Sequence, residues 1–368
     1  MTASPQRVRK IEFWSVDIPL TDPFVVATGS RFDAENVFVR ITLNDGTWGY
    51  GEAAPFPEVG GEDRASCVKA IAQLGRLLIG RLSADFAEVA RDMAALAPMQ
   101  PAARCALETA LIDAQCRATR QPMWKLWGGD DLRKRDTDIT IPICDLEKTL
   151  TLARSWYGKG FRLFKMKVGN NLDQDIRRLE AIHHELPGVA FIGDANQGFS
   201  LGECLLFARG VTRFGGKLIL LEQPLKRDEL EGLTAIRRQT GIPVAADESV
   251  RSLADARRVV EGEAADYINI KIMKTGVVEA YDIATFTLAS GLKLMIGGMV
   301  ETRIAMGCSF SLVLGLKGFD ILDLDTPLLL ASDPVNGGYH YNGPTLQPWT
   351  EPGLGLTTEP LNRTTVIE

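Results

Sequence analysis

From about Thr137 onward the chain alternates between short β-branched or apolar runs and stretches of roughly 10 to 20 residues, several with helical periodicity. The runs read ITIPI, LFKMKV, VAFIGDAN, LILLEQP, VAADES, YINIKI, LKLMIGGM and ILDLD, which makes eight strands. The polar residues that close successive strands, Asp194, Glu222, Asp247, Lys271 and Gly297, lie 28, 25, 24 and 26 residues apart. Strand and helix alternating at so regular an interval predict βα units around a parallel sheet, and eight of them predict an α/β fold of (β/α)8-type, a modified TIM barrel.

The first 130 residues carry a different pattern. IEFWSVDIPL and VFVRITLNDGTWGYGEA predict an antiparallel meander with a turn at Asn44-Asp45-Gly46. CVKAIAQLGRLLIG and AARCALETALIDAQCRA then follow with helical spacing. We expect an α+β capping domain over residues 1–130, the barrel over 131–330, and a Gly- and Pro-rich segment, 331–368, that returns to the cap.

Composition narrows the function classes. A chain of 368 residues is too long for one small core. With 45% hydrophobic and 24% charged residues it has the profile of an ordinary globular protein. The net charge of −6 and the lack of a Lys/Arg run argue against nucleic acid as a partner. Ile304–Leu316, the longest apolar run without a charge, has 13 residues, too few to span a bilayer. The N-terminal MTASPQRVRKIEFW has no apolar signal core, and six scattered cysteines show no metal-ligand spacing, so a cytoplasmic protein with reduced thiols is expected. His183, His184 and His340 form neither a metal triad nor a Ser-His-Asp arrangement, which leaves acid–base work to Lys, Asp, Glu or Tyr.

Several polar residues stand where a core should be. In Phe164-Lys165-Met166-Lys167-Val168 the lysines share one face and the apolar residues the other. Lysines can guard a solvent-exposed edge strand, but in a closed barrel the apolar face meets the helices and the lysines turn inward. Asp194, Glu222 and Asp247 each end one of three consecutive strands. Any one of them could cap a helix; three in phase would repel one another without a cation, and an all-oxygen set favours Mg2+ over Mn2+ or Ca2+. Lys271 closes the following strand, across the barrel from Lys165 and Lys167, and either forms a structural ion pair or serves proton transfer. Lysines on opposite sides of a metal suggest removing a proton from one face of a carbon and returning it to the other. The suitable substrate is a carbon acid α to a carboxylate, whose enediolate Mg2+ stabilises.

In this order the motifs KMK, GDAN, LEQP, ADES and NIK resemble the enolase superfamily, with the muconate-lactonising subgroup the best fit over nearly the whole chain. The resemblance implies that Asp194, Glu222 and Asp247 ligate Mg2+, that Lys167 and Lys271 are the acid/base pair, and that Lys165 neutralises the substrate carboxylate. The histidine base of the mandelate-racemase subgroup would follow the seventh strand, where this chain has Gly297-Gly298-Met299.

Within the subgroup, IGGMVET followed by Asp323-Leu324-Asp325 resembles the dipeptide epimerases. By that resemblance Asp323 and Asp325 hold the α-ammonium of a dipeptide, although Asp325 could instead cap the next turn. Gly297, Met299, Thr28 and Gly29 are the further implied substrate contacts. Members acting on Ala-Glu carry an arginine in the loop after the first strand; here Gly29 takes that position and Arg31 stands two residues on. The segment Phe56–Asp63 adds Glu58, Glu62 and Asp63 with no base before Arg64. The expected activity is epimerisation of neutral, apolar or cationic dipeptides rather than Ala-Glu, by a homo-oligomer. The same lysines could serve an o-succinylbenzoate synthase, an N-acylamino-acid racemase or a cycloisomerase, and a non-catalytic binding protein on an inherited barrel is the reading of another class.

Overall fold

The computed structural model describes residues 5–57, 61–359 and 364–368; Glu58 lies outside them. The chain opens with a long antiparallel hairpin, β1 (Val8–Val26) and β2 (Gly29–Leu43), followed by β3 (Trp48–Ala53). The β2–β3 turn falls at Asn44-Asp45-Gly46, and Gly46 has the φ of +87° that this tight reversal needs. The helix Pro101–Ala118 lies on β3. Its contact face is Ala106, Ala110 and Ala114, so close that a Cβ on Gly51 would stand 1.9 Å from the Ala106 carbonyl oxygen. These elements form the expected antiparallel sheet with helices. At the other edge of this sheet a short segment, Thr365–Ile367, pairs with β1 at Ile11↔Ile367.

After β4 (Arg135–Asp136) come the eight barrel strands: β5 (Ile139–Ile141), β6 (Leu163–Lys167), β7 (Ala190–Asp194), β8 (Lys217–Glu222), β9 (Val244–Ala246), β10 (Tyr267–Ile270), β11 (Lys293–Ile296) and β12 (Phe319–Leu322). They pair in sequence order and in parallel, as the alternating pattern predicts. Between β12 and β5 the ring closes through single bonds, with Asp138 N–H donating to Leu322 O at 2.9 Å and Leu324 N–H to Thr137 Oγ1 at 2.8 Å. A helix follows each of the first seven strands, whereas β12 runs into a single turn at Thr326–Leu328.

Side-chain alternation explains why this barrel carries a site. Ile192, Leu220, Ala245, Tyr267, Met295 and Ile321 form an apolar plug inside the ring, with Leu163 packed against it. Two residues further along each strand, on the same face, stand Asp194, Glu222, Asp247, Asn269, Gly297, Asp323 and Lys165. A second step of two on β6, β10 and β12 gives Lys167, Lys271 and Asp325. The intervening residues, such as Phe164, Met166, Leu221, Ile270 and Leu322, join the outer core against the helices. Apolar floor and polar rim are thus one inward face read at different heights.

Candidate active site

Eight buried carboxyl groups (Asp138, Asp194, Glu222, Asp247, Glu248, Glu301, Asp323 and Asp325) meet four buried lysines at this rim. Lys165 donates to Asp323 Oδ2 at 2.6 Å and lies 3.0 Å from Asp194 Oδ2. It is also 2.8 Å from Glu222 Oε2, an ion-pairing distance without hydrogen-bond direction, so that buried oxygen has no hydrogen bond. Lys167 donates to Asp194 Oδ2 at 2.6 Å and to Asn196 Oδ1 at 3.2 Å. Lys271 lies 2.7 Å from Asp247 Oδ2, while Lys274 donates to Asp247 Oδ1 at 2.7 Å and to the Asp247 carbonyl at 2.6 Å.

These contacts set the charge states. Burial raises Asp194, but Lys165, Lys167 and Lys271 override it and hold the carboxyl down at about 2. Glu222 is pushed up to about 7 by burial and by Asp194. Burial alone would also raise Asp247, and Lys271 and Lys274 keep it below the ordinary range. Burial pulls the Lys271 ammonium down, yet Asp247, Glu222 and Asp194 carry it net upward. That direction is opposite to the one a proton-accepting lysine needs, since a general base works best with its pKa near the operating pH. Lys274 is lowered by burial. Four lysines cannot balance eight ionised carboxylates in a dry site. The surplus is absorbed by protonation, with burial raising Glu248 and Glu301 to about 8 and Asp138 well above the carboxylate range.

Asp194, Glu222 and Asp247 stand on three adjacent strands with lysine ammonium groups between them, and the unbonded Glu222 Oε2 faces that space. Oxygen-only donors so arranged fit a hard divalent cation such as Mg2+. A second acidic group lies across the ring, where oxygens of Asp138, Asp323 and Asp325 all fall within 4.8 Å of one another. Asp325 Oδ2 accepts from Thr140 N–H at 2.6 Å; its other oxygen, and both of Asp138, have no hydrogen bond. Gly297 leaves room beside this cluster, since a Cβ there would stand 2.9 Å from Asp323 Oδ2. Met299 is buried next to it, its N–H donating to Glu301 Oε1 at 2.7 Å.

Gln223 ties the rim together. Its φ of +34° is rare for a side chain of this size. Its Oε1 accepts from Asp247 N–H and Ser249 N–H at 2.9 and 3.0 Å, and its Nε2 donates to Leu225 O and Ser249 Oγ at 3.0 and 2.8 Å.

The β1–β2 hairpin reaches over the barrel. The Phe24 ring lies 5.4 Å from Lys167 Nζ, and Ala27 packs on Gly198, where a Cβ would be 2.9 Å from its own. Thr28 is exposed at the hairpin tip, and Gly29 begins β2 opposite Val26. Neither is drawn into the lysine–carboxylate cluster as Phe24 is. Arg31 pairs with Phe24 across the hairpin and so shares its face; it sits 4.9 Å from the Phe56 ring centre and 3.7 Å from Glu35 Oε2. Glu62 turns away to accept from Ala102 N–H at 2.7 Å, and Asp63 caps the helix Arg64–Leu78.

Sequence reasoning did not single out Asp138, Lys274, Glu248, Glu301 or Asn269. The signal for Asp138 and Asn269 was present, since Asp138/Thr140 and Asn269/Lys271 alternate with isoleucines as Lys165/Lys167 do with Phe164 and Met166. Lys274 sits one helical turn past Lys271, where strand spacing gives no cue.

Residues 9–128 match the family model for the mandelate racemase / muconate lactonizing enzyme N-terminal domain, and residues 148–361 match the enolase C-terminal domain-like model. The chain is 41% identical over 344 residues to an L-Ala-D/L-amino acid epimerase of Populus trichocarpa, covering 91% of this chain and 81% of the relative. It is 38% identical to an aromatic dipeptide epimerase of Herpetosiphon aurantiacus, covering 93% and 96%. Among solved structures, a dipeptide epimerase from Cytophaga hutchinsonii complexed with Mg and D-Ala-L-Val superposes with a TM-score of 0.94 at 27% identity, over 98% and 100% of the two chains. Barrel, cap and rim together therefore define an enzyme of the isomerase class. The chain belongs to the mandelate racemase/muconate lactonizing enzyme family of the enolase superfamily. Among the described residues no helix is long and apolar enough to cross a membrane.

Proposed function

We propose that this protein is a Mg2+-dependent dipeptide epimerase that inverts the α-carbon of one residue by two-base proton transfer. The observation that carries this reading is the placement of Lys167 and Lys271. In the eight-strand ring β6 and β10 are four positions apart, hence diametrically opposed, and the three strands between them end in Asp194, Glu222 and Asp247. A substrate seated between the lysines has its α-carbon within reach of a proton acceptor on one face and a donor on the other.

Asp194, Glu222 and Asp247 would hold the Mg2+, which when bound supplies charge stabilisation to the substrate carboxylate as the α-proton leaves. The added positive charge also offsets the carboxylates that hold the Lys271 proton on. Lys165 faces the substrate carboxylate. Asp323 and Asp325 accept the α-ammonium, in charge-assisted bonds that contribute about 1.5–3 kcal/mol each. Phe24 and the hairpin keep water from Lys167.

The substrate class is neutral, apolar or cationic dipeptides rather than Ala-Glu. Arg31, the nearest base to the hairpin tip, is engaged by Glu35 and Phe56, and Phe24 presents apolar surface at the mouth. The name of the Herpetosiphon relative, an aromatic dipeptide epimerase, agrees with an apolar side chain. Incubation with L-Ala-L-Phe, L-Ala-L-Lys, L-Ala-L-Glu and N-acetyl-L-Phe in D2O, with Mg2+, tests the reading. Deuterium at the α-carbon of both epimers of the first two supports it; turnover confined to the N-acetyl amino acid overturns it in favour of a racemase.

A further inference from the structure

The turns behind the two opposed lysines are held by different parts of the molecule. Behind Lys167, among the described residues, the hydrogen bonds come from the barrel: Arg178 Nη1 donates to the Lys167 carbonyl at 2.9 Å, and Gly169 N–H donates to Asp175 Oδ2 at 2.8 Å. Lys271 instead leads into a single helical turn, Ile272–Thr275, then Gly276 and the helix Val277–Ala289. Lys274 pins the inner side of that turn to Asp247 and to the Asn269 carbonyl.

Its outer side is gripped by residues of the N-terminal cap. Glu108, buried on the helix Pro101–Ala118, accepts from Val277 N–H at 2.6 Å and Val278 N–H at 3.0 Å through one oxygen. These are the first, otherwise unbonded amides of the next barrel helix, so a cap carboxylate serves as its N-terminal partner. Gly276 completes the fit: φ is +89°, and a Cβ there would stand 2.4 Å from Glu108 Oε1. Ala54 N–H, at the end of β3, meets Met273 Sδ at 3.5 Å on the same turn.

We propose that Glu108 is a positioning residue for Lys271: a cap carboxylate holds the turn behind one proton-transfer lysine, while the turn behind the other is hydrogen-bonded within the barrel. The proposal rests on the two-base reading above. It predicts a defect on one face of the substrate, which general loosening of the fold does not produce. A misplacement of about 1 Å at a reacting group can cost about 10²-fold in rate.

The test is α-proton exchange in D2O, followed separately from each epimer with the full-length Mg2+-loaded enzyme. Lys271→Ala identifies the epimer whose exchange needs Lys271. In Glu108→Ala that epimer's exchange should fall by about 10- to 100-fold, with exchange of the other epimer near wild type. Glu108→Gln keeps an acceptor for both amides and should restore it. Gly276→Ala, which crowds Glu108, should show the same one-sided loss, and these two variants decide the question if Glu108→Ala does not fold. Equal losses for both epimers, or no loss, would overturn the proposal. Exchange of both epimers surviving in Lys271→Ala would overturn the two-base reading itself, and this proposal with it.

Discussion

Lys165 and Asp323 are bonded to each other at 2.6 Å, across β5 and inside the ring. One is assigned to the substrate carboxylate and the other to the substrate ammonium, so a zwitterionic substrate replaces an internal ion pair by two external ones. Such an exchange is close to neutral only if both partners are regained. Asp323→Asn should therefore raise KM for free dipeptides about 10-fold or more, the worth of one charge-assisted bond. Dipeptides acetylated at nitrogen should respond much less. Comparing kcat/KM for the free and acetylated forms in both proteins measures the difference, and equal losses would exclude Asp323 as an ammonium contact.

Replacing either opposed lysine should stop inversion while sparing half of the exchange. Lys167→Ala and Lys271→Ala should each lose at least about 10²-fold in epimerisation, the lower bound for a positioned acid or base. Each variant should still wash deuterium into one epimer, and the two should choose opposite epimers. Polarimetry together with proton NMR reads both quantities.

Metal dependence should follow the three strand-end carboxylates. Chelation should abolish turnover, and Mg2+ should restore it. Asp247→Asn should weaken Mg2+ binding in calorimetry at least about 10-fold, since a charged oxygen ligand is lost. It also removes the anion that Lys271 and Lys274 share, so its kcat should stay low even at saturating Mg2+.

The metal-free protein should lose stability as pH rises. Glu301 is fully buried, with one oxygen accepting from Met299 N–H and the other without a hydrogen bond, and burial raises it from 4.5 to about 8. Below pH of about 4.5 folded and unfolded chains both hold this proton, and linkage has no effect. Between there and about 8 the folded chain binds more protons than the unfolded one, so unfolding becomes easier with each pH step, by up to about 1.4 kcal/mol per unit for one group. Glu248, raised for the same reason, adds the same sign. Melting temperatures in excess chelator should fall from pH 5.5 to 8.5, and Glu301→Gln should flatten that slope.

Arg31 offers a test of side-chain preference. Because Arg31 pairs with Phe24 across the hairpin, its side chain lies on the barrel-facing side, two residues from the position expected to matter. If Glu35 and Phe56 hold it away from substrate, Arg31→Ala should change kcat/KM for Ala-Leu and Ala-Glu by similar factors. A selective loss with Ala-Glu would instead assign Arg31 to an acidic substrate side chain.

The barrel was legible because its signal is local and repeated. A two-residue alternation places apolar residues outward and Lys165, Lys167, Asp194 and Glu222 inward, whatever lies elsewhere in the chain. The turn at Asn44-Asp45-Gly46 was legible for the same reason. Contacts between distant segments were not. Glu108 meets Val277, and Glu52 accepts from Thr302 N–H and Ala305 N–H, across 169 and 250 or more residues. In sequence both glutamates look like ordinary polar positions of a helix and a strand. Nor could spacing tell that the lysine and aspartate assigned to opposite ends of the substrate would bond to each other, because that depends on how the ring closes between β12 and β5.

Gln223 has a consequence for anyone breeding a sturdier enzyme. Its left-handed backbone costs about 1–3 kcal/mol, and glycine would remove that strain. The same change would strip buried partners from Asp247 N–H, Ser249 N–H and Leu225 O, at about 1–3 kcal/mol for each group left unsatisfied. The loss outweighs the gain, so a screen for heat resistance would keep the strained glutamine and, with it, the aim of Asp247. At this position survival and turnover select the same residue.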